Sequence, residues 1–169
     1  MSLKDLGRQG PALFAAVLCA SVAIAADARA EVIRHPIPNS TFPIAQAVEV
    51  KGPVTTYYVS GQVPPAVNKD ADPQSLAAYG DVTTQTVGVL ARIKGILEGL
   101  GLSMADVVKM QVFLVHSPSA PMDFGAFMKG YTQFFSQPNL PARSVVGVAS
   151  LANPGFLVEI EVIAVKDTK

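Results

Sequence analysis

The first part of the chain alternates between short apolar stretches and polar turns. Three stretches have the length and residue types of β-strands: Val32–His35, Ala45–Val50 and Thr55–Ser60. The third gives the strongest signal, because β-branched and aromatic residues favour extended backbone. The polar, proline-containing segment 63–79 that follows indicates a long surface loop, and loops of this length often carry function.

Helical periodicity follows in two segments. Asp81–Leu100 places its apolar side chains on one stripe and ends beside Gly99 and Gly101, which are typical helix stop signals. A second helix is predicted over Met122–Phe135, after Pro121, which suits a first helical turn. Its apolar face carries Phe124, Phe127, Met128, Tyr131, Phe134 and Phe135.

Three further strands complete the pattern. Val107–Val115 alternates along its length, and the turn signal Asn153-Pro154-Gly155 separates Ala142–Ala149 from Phe156–Lys166. The predicted order is therefore β-β-β-α-β-α-β-β. In such an α+β domain the two helices cover one face of a mostly antiparallel or mixed sheet.

The other face of this sheet is too apolar to stand bare in water. Its predicted members lie among charged residues and are Phe113, Val115, Val145, Ile163 and Val165. An apolar sheet face without helices of its own is typical of a subunit interface. The alternative is a curved, closed sheet that buries this face within one chain.

The N-terminus has the pattern of a secretory signal peptide. Lys4 and Arg8 precede the charge-free run Pro11–Ala26, and Ala28-Arg29-Ala30 offers small residues for cleavage. The apolar run is shorter than the about 20 residues that a membrane span needs. We therefore predict a signal peptide over residues 1–30, a mature domain over residues 31–169, and a periplasmic or secreted protein.

Two alternatives to this processing stay open, namely cleavage after Ala23-Ile24-Ala25 and retention of the segment as a membrane anchor. A lipid anchor on Cys19 is not favoured, because Leu18 stands where a small residue is expected. Cys19 is the only cysteine, so the mature domain has no thiol, no disulfide and no cysteine-based zinc site. After cleavage we expect no association with membranes.

The charge balance excludes one class of partner. The chain has 13 basic and 13 acidic side chains, and residues 1–30 hold three of the former and two of the latter, which leaves the mature domain at −1. A broad nucleic-acid binder needs surplus Lys and Arg to neutralise phosphates. Nucleic acid is therefore not an expected partner.

Few residues are left that could carry chemistry. His35 and His116 stand beside turns without an acidic cluster at metal-ligand spacing, so we predict solvated side chains and no metal site. Arg143, Glu159 and Glu161 interrupt apolar strands. They are either exposed charges, a structural ion pair, or a site where an arginine binds a small carboxylate and a glutamate activates water for hydrolysis.

Three segments closely resemble the RidA/YjgF family, the reactive-intermediate deaminases. They are Ser60-Gly61-Gln62, the sequence GLSMADVVKMQVFL at Gly101–Leu114, and PARSVVGVASL…LVEIEVIAV within Pro141–Val165. Their order and spacing extend the resemblance from about Pro43 to Lys166.

This resemblance implies a chorismate-mutase-like fold that assembles as a homotrimer, with active sites in clefts between subunits. It implies a 2-iminobutanoate/2-iminopropanoate deaminase, which hydrolyses short imino acids, the tautomers of enamines such as 2-aminoacrylate, to 2-keto acids and ammonia. No cofactor is implied, because an imine is already electrophilic and needs only positioning and an activated water.

The resemblance also assigns roles to residues. Arg143 matches the arginine that binds the substrate carboxylate, and Glu159 matches the glutamate that orients the attacking water. Gly61 matches a glycine whose backbone contacts the ligand, with Ser60 beside it. Val145 takes the place of a frequent cysteine, a minor change if only the backbone N–H at this position is used.

Two departures from the family pattern leave the identity of the substrate open. Ile44 stands where the family often has a tyrosine over the ligand, and Met128 where it often has an asparagine. Each change removes a polar contact. A non-catalytic trimer that binds small carboxylates or other metabolites is therefore the alternative function. Endoribonuclease activity, attributed to some relatives, is disfavoured by the net charge of the mature domain.

The turn at Pro154 gives a geometric expectation. A hairpin centred there pairs Arg143 with Val165 and Glu159 with Ala149, which puts the two charges on one face but about six residues, or roughly 20 Å, apart. They would be too far apart to share a ligand within one chain. We therefore hypothesise that Arg143 of one subunit meets Glu159 of its neighbour.

Overall fold

The structure is a computed structural model that describes residues 29–116 and 121–168. Most of the predicted signal peptide, residues 1–28, lies outside the described residues. The elements in chain order are β1 (Glu31–Pro36), β2 (Ala45–Lys51), β3 (Val54–Gln62), α1 (Val82–Gly99), β4 (Val107–Val115), α2 (Phe124–Tyr131), β5 (Ala142–Val148) and β6 (Val158–Asp167). The predicted β-β-β-α-β-α-β-β order is confirmed.

All six strands form one mixed sheet in the order β1-β2-β5-β4-β6-β3. Strand β5 runs parallel to both β2 and β4, whereas the other neighbouring strands are antiparallel. The edge strands β1 and β3 do not pair with each other. The sheet of the described residues is therefore open, and the alternative of a closed sheet within one chain is wrong.

The predicted hairpin between β5 and β6 is also wrong, because β4 lies between these strands. Residues 149–157 connect them and pass the end of β4. Within this connection Asn153-Pro154-Gly155 forms only a local turn, in which the Gly155 N–H donates to Oδ1 of Asn153 at 2.8 Å. A turn signal predicts where the chain bends but not which strand lies next to it.

The core lies between the helices and one face of the sheet. Alternate residues of β4 and β6 point toward the helices and are at most 2% exposed: Met110, Val112, Leu114, Val158, Ile160 and Val162. The α1 stripe meets them with Val89, Leu90, Ile93 and Leu97. The two helices come close where a Cβ on Gly130 would lie 2.7 Å from the Thr86 side chain. The small residue thus allows α2 to pack tightly against α1.

Helix α2 is shorter than its predicted range, Met122–Phe135. It starts at Phe124, because Asp123 caps it by accepting the N–H of Ala126 at 2.8 Å. It ends at Tyr131, and the predicted last turn continues as tight turns in which the Phe135 N–H still donates to the Tyr131 carbonyl at 3.2 Å.

Both α-helices leave the other face of the sheet uncovered. Phe113, Val115 and Ile163 are half-buried there, and Val146 is 41% exposed. Val145 was predicted on this face, and that prediction is wrong. Its register with Val112 turns it toward the helices, where it packs against the core. Among the described residues, no helix is long and apolar enough to cross a membrane.

Candidate active site

Arg143 lies on β5 and points toward α2. It is in register with Met110, which is buried on the helix side of β4. Four aromatic rings surround its guanidinium, with ring centres at 4.1 to 6.0 Å from Cζ: Tyr131, Phe127, Phe42 and Phe124. Aromatic faces at this distance attract a cation. Among the described residues, Sδ of Met128, a weak acceptor, lies 3.4 Å from Nη2 of the guanidinium.

The charge of Arg143 is not balanced by the described part of the chain. No carboxylate there forms an ion pair with it. Its Nη1 and the Tyr131 hydroxyl are buried without a hydrogen-bond partner. Burial lowers the pKa of Arg143 and raises the pKa of Tyr131 to about 12, so the arginine is a cation beside a neutral phenol at neutral pH. Because buried polar groups normally have partners, this ring of aromatic side chains around a cation, called the pocket below, is suited to an anionic ligand.

The β1–β2 hairpin supplies one wall of the pocket. Phe42 lies in the connection between the two strands and stacks on Phe124, with 6.3 Å between ring centres. The hairpin joins the rest of the sheet through a single residue pair, Ala45 with Ala142. The position of Phe42 therefore depends on contacts of the hairpin other than its strand pairing.

Arg34 of β1 provides that attachment. Its half-buried guanidinium donates to the backbone carbonyls of Ala105 at 2.6 Å, Leu140 at 2.7 Å and Val107 at 3.1 Å. Burial lowers the pKa of Arg34, and the nearby Asp106 opposes this effect. Hydrogen bonds from a charged donor are strong, so they compensate for the limited strand pairing. The sequence does not predict this role, because an arginine in an edge strand usually faces solvent.

Glu159 lies on β6 and faces the open side of the sheet. Its carboxylate rests so close to Gly61 that a Cβ on that glycine would overlap Oε1. Gly61 and Ser60 form an irregularity in β3, where the register with β6 shifts. Such bulges often redirect the backbone beside active sites. Among the described residues the Glu159 carboxylate has no hydrogen-bond or ion-pair partner.

A buried amide holds the start of β6. Gln85 of α1 is 0% exposed. Its Oε1 accepts the N–H of Leu157 at 2.7 Å, and its Nε2 donates to the carbonyls of Gly155 at 2.9 Å and Gly80 at 3.0 Å. Leu157 comes directly before β6, whose second residue is Glu159. Gln85 is not among the residues predicted from the sequence, although a glutamine beside the apolar stripe of a helix is a signal for such a contact.

Arg143 and Glu159 lie on opposite faces of the sheet. Arg143 is in register with Met110 and Glu159 with Phe113, and residues three apart on one strand point to opposite sides. The prediction that the two charges share a face is therefore wrong, because it assumed a β5–β6 hairpin. They form no ion pair within the described chain. An intervening sheet separates them, so one small ligand cannot bridge them in a single subunit.

The other predicted residues are divided between the same two faces. Val145 lies two residues beyond Arg143 and packs into the core. Ser60 and Glu161 line a cavity of about 350 Å³ on the open side of the sheet. Ile44 lines a second cavity of about 480 Å³ beside β1.

Both histidines lie on the surface, as predicted. His35 is exposed, and its Nε2 is 3.2 Å from Oε2 of Glu49, whose other oxygen lies 3.3 Å from Nζ of Lys51. His116 is exposed and accepts the Met122 N–H at 3.1 Å. In the described ranges no group of three His, Cys, Asp or Glu side chains is placed to hold a metal ion.

Comparisons with known sequences cover most of the chain. The family profile described as Endoribonuclease L-PSP matches residues 36–166. A RutC family protein of Haemophilus influenzae is 37% identical over 132 residues, covering 76% of this chain and 91% of the relative. A 2-iminobutanoate/2-iminopropanoate deaminase of Salmonella typhimurium is 36% identical over 131 residues, with coverage of 76% and 91%.

Solved structures show the same fold. A protein of the Rid family, YyfB from Yersinia pestis, superposes with a TM-score of 0.61 at 31% identity, covering 80% of this chain and 97% of that one. A putative endoribonuclease from Thermotoga maritima superposes with a TM-score of 0.52 at 34% identity, with coverage of 79% and 92%.

Proposed function

Because the chain belongs to the RidA/YjgF family, we propose that it hydrolyses imino acids to 2-keto acids and ammonia. The observation that carries this proposal is the unpaired, half-buried Arg143. A cation without a counter-ion in an apolar pocket is costly unless a ligand neutralises it. A substrate carboxylate supplies two acceptor oxygens in the planar geometry that a guanidinium fork matches.

The proposed reaction needs only water and a proton carrier. The water oxygen bonds to the imine carbon and gives up one proton to Glu159, and the imine nitrogen gains that proton, which gives a tetrahedral carbinolamine. The C–N bond then breaks, the electron pair leaves with a further proton as ammonia, and the hydroxyl proton is released as the carbonyl forms. Glu159, which has no other partner in the described chain, orients the water and carries these protons.

We place the complete site between subunits of a homotrimer. Arg143 and Glu159 lie on opposite faces of one sheet, so the site needs Arg143 of one subunit and Glu159 of another. Gly61 and Ser60 accompany Glu159, because Gly61 touches its carboxylate. The open, partly apolar sheet face is the surface through which the subunits associate.

We further propose that the protein is exported and acts in the periplasm or outside the cell, without a lasting membrane attachment. Strand β1 begins at Glu31, immediately after the proposed cleavage at Ala30. Cleavage there removes residues 1–30 and keeps every strand of the sheet, in a domain spanning residues 31–169. The proposal requires a source of imines outside the cytoplasm.

The test generates imines in place from amino acids with an amino-acid oxidase and follows ammonia release. We expect the purified protein to accelerate release, and Arg143→Ala to lower kcat/KM by about 10³-fold or more, because the carboxylate loses its anchor. Glu159→Gln keeps shape and removes the proton carrier, so we expect kcat to fall by about 10²-fold or more.

The rates of the wild type and the Arg143→Ala variant decide whether the proposal holds. Equal rates for the wild type and Arg143→Ala contradict the proposal. Binding of a 2-keto acid without any acceleration supports the non-catalytic alternative, which the lack of polar side chains at Ile44 and Met128 favours. Endoribonuclease activity remains disfavoured, since a domain with a net charge of −1 lacks the surplus cations that RNA backbone requires.

A further inference from the structure

The side chains around Arg143 indicate which kind of substrate side chain the site favours. We propose that this site selects imino acids with a large apolar or aromatic side chain over three- and four-carbon imino acids. This inference rests on the proposed deaminase function and adds the substrate class.

The pocket has an apolar rim in addition to its apolar base. Phe127 and Tyr131 form the base and are 0% exposed. Phe42 forms the rim, is 41% exposed, and has its ring centre 5.7 Å from Cζ of Arg143. Phe124, which stacks on Phe42, is half-buried. The rim therefore leaves aromatic surface in water that a ligand can cover.

Most of the side chains placed around the guanidinium offer no oxygen or nitrogen atom to a ligand. Phe42, Phe124 and Phe127 present rings, and Met128 presents only its sulfur. Among the described residues, the buried side-chain polar atoms without a hydrogen-bond partner are Nη1 of Arg143 and the Tyr131 hydroxyl, both at the base. Pockets that combine an apolar wall with one or two placed polar groups are typical of ligands with an apolar body and one charged end.

A carboxylate can reach the guanidinium by displacing the sulfur of Met128. That sulfur is a weak acceptor, and the methionine side chain is flexible, so an oxygen anion competes with it effectively. The carboxylate then binds at the base, and the substrate side chain projects toward Phe42 and Phe124. A methyl or ethyl side chain covers little of this surface, whereas a leucine- or phenylalanine-derived side chain covers much more.

The experiment compares substrates of the purified protein. Imines are generated from alanine, 2-aminobutyrate, leucine, methionine and phenylalanine, and kcat/KM is measured for each. Since one methylene in an apolar pocket discriminates by about tenfold or more, we expect the leucine and phenylalanine imines to exceed the alanine imine by at least about tenfold. Equal or higher kcat/KM for the alanine imine overturns the inference.

A variant pair links the selectivity to the rim. Phe42→Ala removes the exposed ring, and we expect the phenylalanine-to-alanine ratio of kcat/KM to fall by about tenfold. Leu100→Ala is the matched control, because it removes an apolar side chain that is 48% exposed at the end of α1, and it leaves the ratio unchanged. An unchanged ratio in Phe42→Ala contradicts a role for the rim.

Binding separates failure of this inference from failure of the proposed function. Phenylpyruvate and pyruvate are titrated by calorimetry, a measurement that does not depend on turnover. Tighter binding of phenylpyruvate without turnover of any imine overturns the deaminase proposal and retains the selectivity. Turnover of imines with tighter binding of pyruvate retains the deaminase proposal and overturns the selectivity.

Discussion

At the scale of single residues, the contact between Gly61 and Glu159 leaves no room for a larger side chain at position 61. The glycine leaves the space that the carboxylate oxygen occupies. Its backbone does not require a positive φ, so the absence of a Cβ serves the neighbouring side chain and not the chain conformation. A substitution here therefore affects the placement of Glu159 more than the fold.

Gly61→Ala tests this interpretation. We expect kcat in the imine assay to fall by about tenfold or more, because the added methyl displaces the carboxylate. The melting temperature should change little, since the atom displaced is the end of a flexible side chain. Circular dichroism during heating measures the second quantity, and a large loss of stability at full activity would contradict the interpretation.

Gly95→Ala is the matched control for that variant. A Cβ on Gly95 meets no heavy atom within 4 Å, and the residue lies inside α1. Alanine in a helix interior is more favourable than glycine by about 0.5–1 kcal/mol. We expect slightly higher stability and unchanged kinetics, so the two glycines respond in opposite ways.

At the scale of elements, Gln85 couples α1 to the strand that carries Glu159. Gln85→Leu keeps the size of the side chain but leaves the carbonyls of Gly80 and Gly155 and the N–H of Leu157 without their partner. Each unsatisfied buried group costs about 1–3 kcal/mol, and relaxation of the connection recovers part of this. We expect a net loss of about 2–4 kcal/mol in unfolding free energy, measured by urea denaturation.

A positioning role has a second signature beyond stability. If Gln85 holds the start of β6, the folded Gln85→Leu variant shows a lower kcat with a nearly unchanged KM, because Arg143 still binds the carboxylate. A variant that loses stability yet keeps the wild-type kcat would show that Gln85 serves only the fold.

The sequence predicts most of the helices and strands, but it does not predict which strands lie next to each other in the sheet. Alternation in β4 and the apolar stripe of α1 reflect contacts made by each element with one core, so periodicity alone reveals them. The parallel pairing of β5 with β4 reflects contacts between distant segments, and no local turn signal encodes it. The face assigned to Arg143 relative to Glu159 was wrong for this reason.

In the candidate site, too, the sequence predicts some residues and leaves out those whose roles depend on contacts between distant segments. The motifs around Arg143 and Glu159 identified these residues through their resemblance to a family. Phe42 and Arg34 were missed, because Phe42 reaches the guanidinium only after β2 has joined β5, and Arg34 binds carbonyls far along the chain. Their roles arise from tertiary structure and leave no periodic or motif signal.

At the scale of the whole molecule, the open sheet face governs assembly in our proposal. Val146→Lys places a charge on this face at a position that is already 41% exposed, so the isolated subunit should tolerate it. We expect it to shift the trimer toward monomer in analytical ultracentrifugation, because a buried unpaired charge opposes association. Imine hydrolysis should fall in parallel, since each site needs two subunits.

Val67→Lys is the matched control for assembly. It makes the same substitution at a residue that is 59% exposed in the loop 63–79. We expect this variant to sediment as the wild type does. A wild-type protein that sediments as a monomer, or a Val146→Lys variant that stays trimeric and active, would contradict the proposed interface.

The hydrogen bonds of Arg34 have a consequence for the order of folding. They join residues that are 71, 73 and 106 positions apart in the sequence. Closing such long loops is entropically costly and slow compared with local structure. We therefore expect the first strands to be synthesised to be among the last to be secured, with the aromatic wall beside Arg143 completed only when the distant segments have met.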